Sequence, residues 1–162
     1  MRIGVYPGTF DPITNGHVDL ITRSLNLFDK VFVAVASNPQ KHPVFDLPER
    51  VEMVRLVTKE LPNVTVESFH GLLVDFLRER GAHAIIRGLR AVSDFEFELQ
   101  MALMNRNLDQ SSETVFLMPS QEYIYLTSTI IKEVARLGGN LKDLVHPEVA
   151  QRLATRLRSV PK

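Results

Sequence analysis

The stretch IGVYPGTFDPITNGH, residues 3–17, decides the fold of this chain. Its first residues form an apolar run that predicts a buried strand, which ends at a turn rich in glycine and proline. After the turn, residues 18–28 carry apolar side chains at helical spacing. A strand, a tight turn and the beginning of a helix form a ready phosphate site, because free backbone N–H groups and the helix dipole point toward the turn.

Apolar runs and helical patterns alternate along the rest of the chain. The runs predict strands at residues 2–6, 30–36, 64–67, 84–87 and 114–118. The patterns between them predict helices at residues 18–28, 48–61, 72–80, 94–108, 129–137 and 147–157. This alternation predicts an α/β fold, a single doubly wound domain over residues 1–162 with a five-stranded parallel sheet. We expect the loops after the first and fourth strands, residues 7–16 and 88–93, to share a site where the strand order reverses.

Composition excludes several functional classes. Lys plus Arg and Asp plus Glu both number 19, so net charge gives no reason to expect a nucleic-acid or membrane partner. The absence of cysteine excludes disulfides, a thiol nucleophile and cysteine-based zinc sites. No GxxxxGK(S/T), GxGxxG, HExxH or GxSxG motif occurs, and no protein-bound metal is predicted. No apolar run is long enough to span a bilayer and no leader is evident, which predicts a cytoplasmic protein.

The turn after the first strand carries the first candidate residues. Thr9 offers a hydroxyl there, and His17 offers an imidazole where the helix begins. Either group could donate to a phosphate oxygen. A histidine beside a tight turn is more often a surface or capping residue, but the glycine, threonine and proline around it favour the phosphate-binding interpretation.

A second candidate site lies where the fourth strand ends. Arg87 and Arg90 flank Gly88, and a strand end aims arginine side chains, which bind phosphate in a bidentate manner, into the crevice. The alternative is two ordinary surface cations. Lys41, just past the second strand, would reach the same crevice as a point charge, although a lysine in a loop is more often simply solvated.

Three consecutive hydroxyl residues, at positions 127–129, precede the fifth predicted helix. One of them suffices to cap a helix, so simple capping remains an alternative interpretation. Together with Lys132 one turn later, they fit a second phosphate cradle at a helix N-terminus. Asp11, next to Pro12, is interpreted as a turn former.

The predicted helix at residues 94–108 is apolar almost all round, and only Asp94, Glu98 and Asn105 form a narrow polar stripe. A helix this apolar is buried on two sides, so we expect one side to cover the sheet and the other to meet a second subunit. The stripe could lie in that interface, or Glu98 could hydrogen-bond a ligand hydroxyl.

Several of these segments closely resemble bacterial phosphopantetheine adenylyltransferases in their order and spacing. The segments are YPGTFDPITNGH (6–17), with the (H/T)xGH pattern of a nucleotidyltransferase superfamily, NPQK (38–41), FDLPER (45–50), IRGLR (86–90), DFEFELQMALMNR (94–106) and TSTIIKEVA (127–135). The resemblance covers nearly the whole chain and implies the Rossmann-like nucleotidyltransferase fold. It implies transfer of AMP from ATP to 4′-phosphopantetheine, giving dephospho-coenzyme A and pyrophosphate, the penultimate step of coenzyme A biosynthesis.

The resemblance also implies site residues, position by position. For ATP they are Thr9, Phe10, His17, Gly88, Leu89, Arg90, Glu98, Tyr123, Ile124, Tyr125, Leu126, Thr127, Ser128 and Thr129. For phosphopantetheine they are Thr9, Lys41, Leu73 and Arg87. The family is a hexamer, described as a dimer of trimers, and feedback inhibition by coenzyme A is an expectation at the family level.

The residues and the resemblance lead to one mechanistic hypothesis. The phosphate of phosphopantetheine, already an anion, attacks the α-phosphorus of ATP in line with pyrophosphate, so catalysis is positioning and charge stabilisation without a covalent intermediate. His17, Lys41, Arg90 and Ser128 are the predicted catalytic residues. Mg²⁺ is the expected cofactor, held mainly by ATP phosphates and water. Two alternatives stay open: a nucleotidyltransferase with another acceptor, such as nicotinamide mononucleotide or an alcohol phosphate with CTP, and a non-enzymatic nucleotide sensor.

Overall fold

The computed structural model describes residues 1–157, apart from the side chains of Val92 and Ser93. One parallel sheet contains β1 Ile3–Gly8, β2 Lys30–Ala36, β3 Val64–Phe69, β4 Ala84–Gly88 and β5 Glu113–Leu117. The helices are α1 Asn15–Ser24, α2 Leu47–Thr58, α3 Leu73–Glu79, α4 Val92–Leu108, α5 Ser128–Arg136 and α6 Pro147–Leu157, with 3-10 turns at Pro39–Lys41 and Gln121–Tyr123. The predicted α/β class and five-stranded parallel sheet are confirmed, while residues 158–162 of the predicted domain lie outside the described residues.

The strand order is β3-β2-β1-β4-β5, so the order reverses at β1. β1 pairs with β2 on one side and with β4 on the other, where Gly4 lies opposite Ala84 and Val5 opposite Ile85. The chain leaves the carboxyl ends of β1 and β4 side by side. The expected neighbourhood of the first and fourth loops is therefore confirmed.

Both faces of the sheet are covered, as a doubly wound fold requires. Alternate residues of each strand point to opposite faces. Thus Val33 and Ile86 join a core with α1, α2, α5 and α6, whereas Phe32 and Ile85 join a smaller core with α3. Burial on both faces explains why the strands read as continuous apolar runs rather than alternating patterns.

Two helices end at least three residues earlier than their sequence patterns predict. α1 stops at Ser24 rather than residue 28, and α2 stops at Thr58 rather than residue 61. The last residue of each helix donates its side-chain hydroxyl to a backbone carbonyl of the preceding turn. Ser24 donates to Ile21 over 2.6 Å, and Thr58 donates to Val54 over 2.8 Å. None of the helices within residues 1–157 combines the length and apolar character needed to cross a membrane.

The described side chains of α4 form no apolar side that covers the sheet, which corrects the expectation from the sequence. Among its described side chains Glu98 is the buried one, and it belongs to the polar stripe. The large apolar side chains point to solvent instead: Phe97 is 60% exposed, Leu103 56% and Met104 54%. The polar stripe therefore faces the protein, while most apolar side chains of α4 stay largely exposed, although Phe95 packs against Phe116 of β5 with 6.2 Å between ring centroids.

Candidate active site

A cavity of about 420 Å³ opens over the carboxyl ends of β1 and β4, where the strand order reverses. Most of its lining is polar, including the candidate phosphate-binding residues, so we call it the polar cavity. The structure brings together there, among the predicted residues, Thr9, Phe10, His17, Lys41, Arg87, Gly88, Arg90, Glu98, Tyr123, Leu126, Thr127, Ser128 and Thr129. Leu89 lies outside its lining, as do Ile124 and Tyr125, which are exposed.

A second cavity of about 420 Å³ adjoins the first and is mainly apolar; we call it the apolar cavity. The residues common to both linings are Pro7, Gly8, Thr9, Lys41, Arg87 and Glu98. Leu73, predicted to contact phosphopantetheine, lies here together with Phe69, Leu72, Phe97, Met101, Met104 and Leu108. The two cavities thus form one continuous depression with cations at the junction.

The first loop fixes the tautomer of His17. α1 begins with Thr14 as its N-cap, and His17 completes a capping box. The backbone N–H of Thr14 donates to Nδ1 of His17 over 3.0 Å, so Nδ1 carries no proton. The neutral ring is therefore protonated at Nε2, which is its one N–H donor.

His17 is also kept neutral. Burial, reinforced by the positive charges of Arg90 and Arg87, lowers the pKa of His17 to about 4. The Phe10 ring packs edge-on against the imidazole, with 5.1 Å between ring centroids. Phe10 itself has φ of 50°, in the left-handed region, and strained backbone of this kind is typical of functional loops. At neutral pH His17 can therefore act as a neutral hydrogen-bond donor.

Arg87 and Glu98 form a bidentate ion pair between the two cavities. Arg87 Nε and Nη2 donate to the Glu98 carboxylate over 2.7 and 2.6 Å, and Nη1 donates to the carbonyl of Pro7 over 3.0 Å. Burial acts to lower the pKa of Arg87, but the hydrogen bonds and charge of Glu98 outweigh it and raise the pKa. Two residues predicted to bind different substrates are thus bonded to each other.

The other two predicted cations are exposed. Arg90 is held by Asp94 of α4, with its Nε 3.1 Å from a carboxylate oxygen. Lys41 ends the 3-10 turn after β2 and lines both cavities. Exposed side chains of this length can reorient toward a phosphate at small cost.

The hydroxyls at the beginning of α5 divide their roles. Thr127 is the N-cap, and its Oγ1 accepts from the backbone N–H of Ile130 over 3.1 Å. Ser128 donates to the carbonyl of Pro12 over 2.8 Å, which ties α5 to the first loop. Thr129 lines the polar cavity and is exposed. Simple capping therefore explains one hydroxyl, and the other two face the cavity or the loop beside it.

Asp11 does more than form a turn, which corrects its interpretation from sequence. Its carboxylate is 4% exposed, accepts from the backbone N–H groups of Val44 and Phe45, each over 3.0 Å, and pairs with Lys132 Nζ over 2.8 Å. Lys132, predicted as part of a phosphate cradle, lines the polar cavity with its charge already engaged. These partners lie 33 or more residues from Asp11, so no local pattern reveals them.

The chain is similar to known proteins over most of its length. A family model described as cytidylyltransferase-like matches residues 5–134. A phosphopantetheine adenylyltransferase from Moorella thermoacetica is 57% identical over 156 residues, which cover 96% of this chain and 98% of that protein. The chain belongs to the phosphopantetheine adenylyltransferase family. A second member, from Caldanaerobacter subterraneus subsp. tengcongensis, is 52% identical over 98% of this chain and 99% of its own length.

A solved structure of another protein shares the fold of this phosphopantetheine adenylyltransferase family member. A Vibrio parahaemolyticus protein described as a nicotinate-nucleotide adenylyltransferase superposes with a TM-score of 0.74 over 99% of this chain and 98% of that one, at 20% identity. The Rossmann-like nucleotidyltransferase fold implied by the sequence resemblance is therefore confirmed.

Tyr6 is a cavity residue of this phosphopantetheine adenylyltransferase family member that sequence reasoning missed. Its side chain is 5% exposed and lines the polar cavity beside His17. Burial raises the pKa of Tyr6, against the attraction of Arg87 and Arg90, so the phenol stays protonated. The residue lies inside a strand, where an aromatic side chain reads as core, and only the register of the strands places it at the cavity.

Proposed function

We propose that this chain transfers the adenylyl group of ATP to 4′-phosphopantetheine, forming dephospho-coenzyme A and releasing pyrophosphate. The observation that carries the proposal is the pair of adjoining cavities that meet at Thr9, Lys41 and Arg87. The polar cavity suits a nucleoside triphosphate, and the apolar cavity suits an extended uncharged arm whose phosphate lies at the junction. The relatives that are 57% and 52% identical carry the name of this activity.

The polar cavity provides donors for the phosphates of ATP. Nε2–H of neutral His17 donates to the transferring α-phosphoryl group, and this bond strengthens as charge builds up in the transition state. Arg90 leaves its exposed pair with Asp94 to hold the β- and γ-phosphates. Free N–H groups at the beginning of α5, beside Ser128, support the same phosphates.

The junction and the apolar cavity receive phosphopantetheine. Lys41, Thr9 and Arg87 surround its phosphate, and the arm lies against the apolar lining around Leu73. Arg87 keeps its pair with Glu98 and donates to the phosphate through the N–H groups of Nη1 and Nη2 that Pro7 and Glu98 leave unused. The remaining lone pairs of the Glu98 carboxylate can accept from a hydroxyl of the nucleotide. Coenzyme A carries the same arm, so we expect it to compete for the apolar cavity as a feedback inhibitor.

The reaction is an in-line displacement at phosphorus. A phosphate oxygen of phosphopantetheine bonds to the α-phosphorus while the bond from that phosphorus to the pyrophosphate oxygen breaks. The acceptor needs no general base, because a phosphate monoester with a second pKa of about 6 is already an anion at neutral pH. In the described lining of the polar cavity both carboxylates are engaged, Asp11 by Lys132 and Glu98 by Arg87. Positioning and charge stabilisation therefore carry the rate.

Mg²⁺ is the proposed cofactor, and it enters with ATP. The residues present fit a metal held from the nucleotide side, because Asp11 and Glu98 already bond to cations of the chain. Phosphate oxygens and water then supply most ligands. The ion neutralises charge on the triphosphate when bound.

The exposed apolar face of α4 supports a homo-oligomer, for which we propose the hexamer implied by the family resemblance. A contiguous apolar face on a small protein is normally covered by a partner. A second copy would cover Phe95, Leu99 and Leu103, which are 41%, 39% and 56% exposed and lie outside the lining of the apolar cavity. Because ATP is an intracellular nucleotide, we propose the cytoplasm as the location.

The test is release of pyrophosphate from Mg-ATP with 4′-phosphopantetheine, with nicotinamide mononucleotide, or with no acceptor. We expect release only with phosphopantetheine. Lys41→Ala should raise KM for phosphopantetheine, while Lys59→Ala, an exposed lysine at the end of α2, should not. Release only with the other acceptor would leave a nucleotidyltransferase of different specificity, and ATP binding without release would favour a sensor.

A further inference from the structure

Arg50 of α2 is a buried cation with no carboxylate partner in the described part of the chain. Only 1% of the Arg50 surface is exposed to solvent. Its donors serve backbone carbonyls only: Nη1 bonds to Thr9 over 2.6 Å and to Ala36 over 2.8 Å, Nη2 to Ser37 over 3.0 Å, and Nε to Phe45 over 3.1 Å. Burial lowers the pKa of Arg50, opposed by the nearby charge of Asp11, and a guanidinium keeps its proton nonetheless.

These carbonyls belong to the two loops that carry the acceptor ligands. The Thr9 carbonyl follows β1 and lies on a residue of the junction itself. The Ala36 carbonyl belongs to the last residue of β2 and the Ser37 carbonyl to the residue after it, shortly before the 3-10 turn that presents Lys41. A single planar guanidinium therefore spans the gap between the loop of Thr9 and the loop of Lys41.

The end of the Lys41 loop that precedes α2 is also anchored to the first loop and to Arg50. Asp11 of the first loop accepts from the N–H groups of Val44 and Phe45, and the Phe45 carbonyl returns to Arg50. Between these anchors the loop is strained, because Asn38 and His42, at φ of 37° and 44°, both lie in the left-handed region. A loop of this shape depends on its anchors to hold Lys41 in one position.

We propose that Arg50 is a positioning residue for the acceptor phosphate, fixing the separation of Thr9 and Lys41 without touching substrate. The inference rests on the proposed function, because it requires an acceptor phosphate at the junction. Stability alone is a weak reason for a charge here, since well-packed apolar groups often replace buried charges without loss. Bridging two loops through several carbonyls at once is what the planar fork of arginine does and an apolar side chain cannot do.

The test is Arg50→Lys, which keeps the charge and the aliphatic stem but offers a point donor that cannot span both loops. We expect kcat/KM for phosphopantetheine to fall about 10–100-fold, as for a catalytic group displaced by about 1 Å. KM for ATP should change less than KM for phosphopantetheine, because Arg50 reaches the ATP residues only through the Thr9 carbonyl and bonds to none of His17, Arg90 and α5. The matched control is Arg55→Lys, on the same helix, whose side chain bonds to the Val66 carbonyl over 3.3 Å and should change neither constant.

A second variant separates positioning from folding. Arg50→Ala removes the fork, and added guanidinium chloride at millimolar concentration should restore part of kcat/KM for phosphopantetheine without restoring it in Lys41→Ala. Equal changes in both KM values, or no change in Arg50→Lys, would overturn the positioning role, and so would failure of both Arg50 variants to fold. Absence of pyrophosphate release by the unmodified protein with phosphopantetheine would instead reject the proposed function, before any variant is compared.

Discussion

Acidification from pH 7 to pH 4.5 should reveal the buried neutral state of His17. Its pKa falls from 6.5 in an ordinary environment to about 4 in the folded protein. The unfolded chain therefore binds this proton first, so the stabilisation is fully present above pH 6.5 and is lost as the pH falls toward 4. At 1.36 kcal/mol per unit, His17 should lower the free energy of unfolding by about 2 kcal/mol between pH 7 and pH 4.5.

The measurement is urea unfolding at both pH values, for the unmodified protein and for His17→Gln. Glutamine can complete the capping box with Thr14 but does not titrate, so it serves as the matched control. The acid-induced loss of stability should be about 2 kcal/mol smaller in the variant, because other titrating groups contribute equally to both proteins.

An NMR titration of the imidazole gives the direct test. We expect no midpoint for His17 above pH 5, and we expect Arg90→Met to raise the midpoint, because Arg90 is the larger charge effect on the ring. A midpoint between pH 6 and 7, or equal acid sensitivity of the two proteins, would refute the reasoning that burial and two arginines keep this ring neutral.

Three further perturbations probe the site, the assembly and the packing. His17→Ala should lower kcat about 10²–10³-fold with a much smaller change in KM for ATP, as expected for loss of a transition-state donor, and steady-state kinetics with a near-normal kcat would contradict that role. Leu103→Glu, on the exposed face of α4, should yield smaller particles in light scattering, while Glu96→Gln should not. Gly88→Ala would bring a Cβ within 2.4 Å of Leu20 Cδ1 and should reduce stability by about 1–3 kcal/mol in thermal unfolding, and the reduction should be smaller when the same change is made in a Leu20→Ala background.

The strands could be predicted because burial on both faces of the sheet produces continuous apolar runs in the sequence. The apolar run at residues 30–36 matches β2 at both ends. Helix ends were less predictable, because the apolar pattern continues past Ser24 and Thr58, the residues at which α1 and α2 end. The predicted orientation of α4 was wrong for a different reason. Periodicity shows which residues share a helix face, but it does not show which face packs against the rest of the chain.

The candidate site divides in the same way. Thr9, His17 and Arg87 follow directly from strand ends and a helix beginning, so local sequence places them at the crevice. The hydrogen bonds that hold these residues in place cannot be predicted from local sequence, because Asp11 and Arg50 bond to segments that become neighbours only after folding. The ion pair of Arg87 with Glu98 was unforeseen as well, although each residue was assigned to the site by resemblance.

The ion pair of Arg87 with Glu98 lines both cavities, and this has a consequence for ligand design. A molecule that fills both cavities contacts Arg87 and Glu98 at the junction and has to keep both charges satisfied. A hydrocarbon linker placed against this pair would offer neither charge a partner, and the mostly buried Glu98 carboxylate would lose solvent without gaining a hydrogen bond. A linker that carries an anion toward Arg87 and a hydroxyl or amine toward Glu98 would keep both charges satisfied.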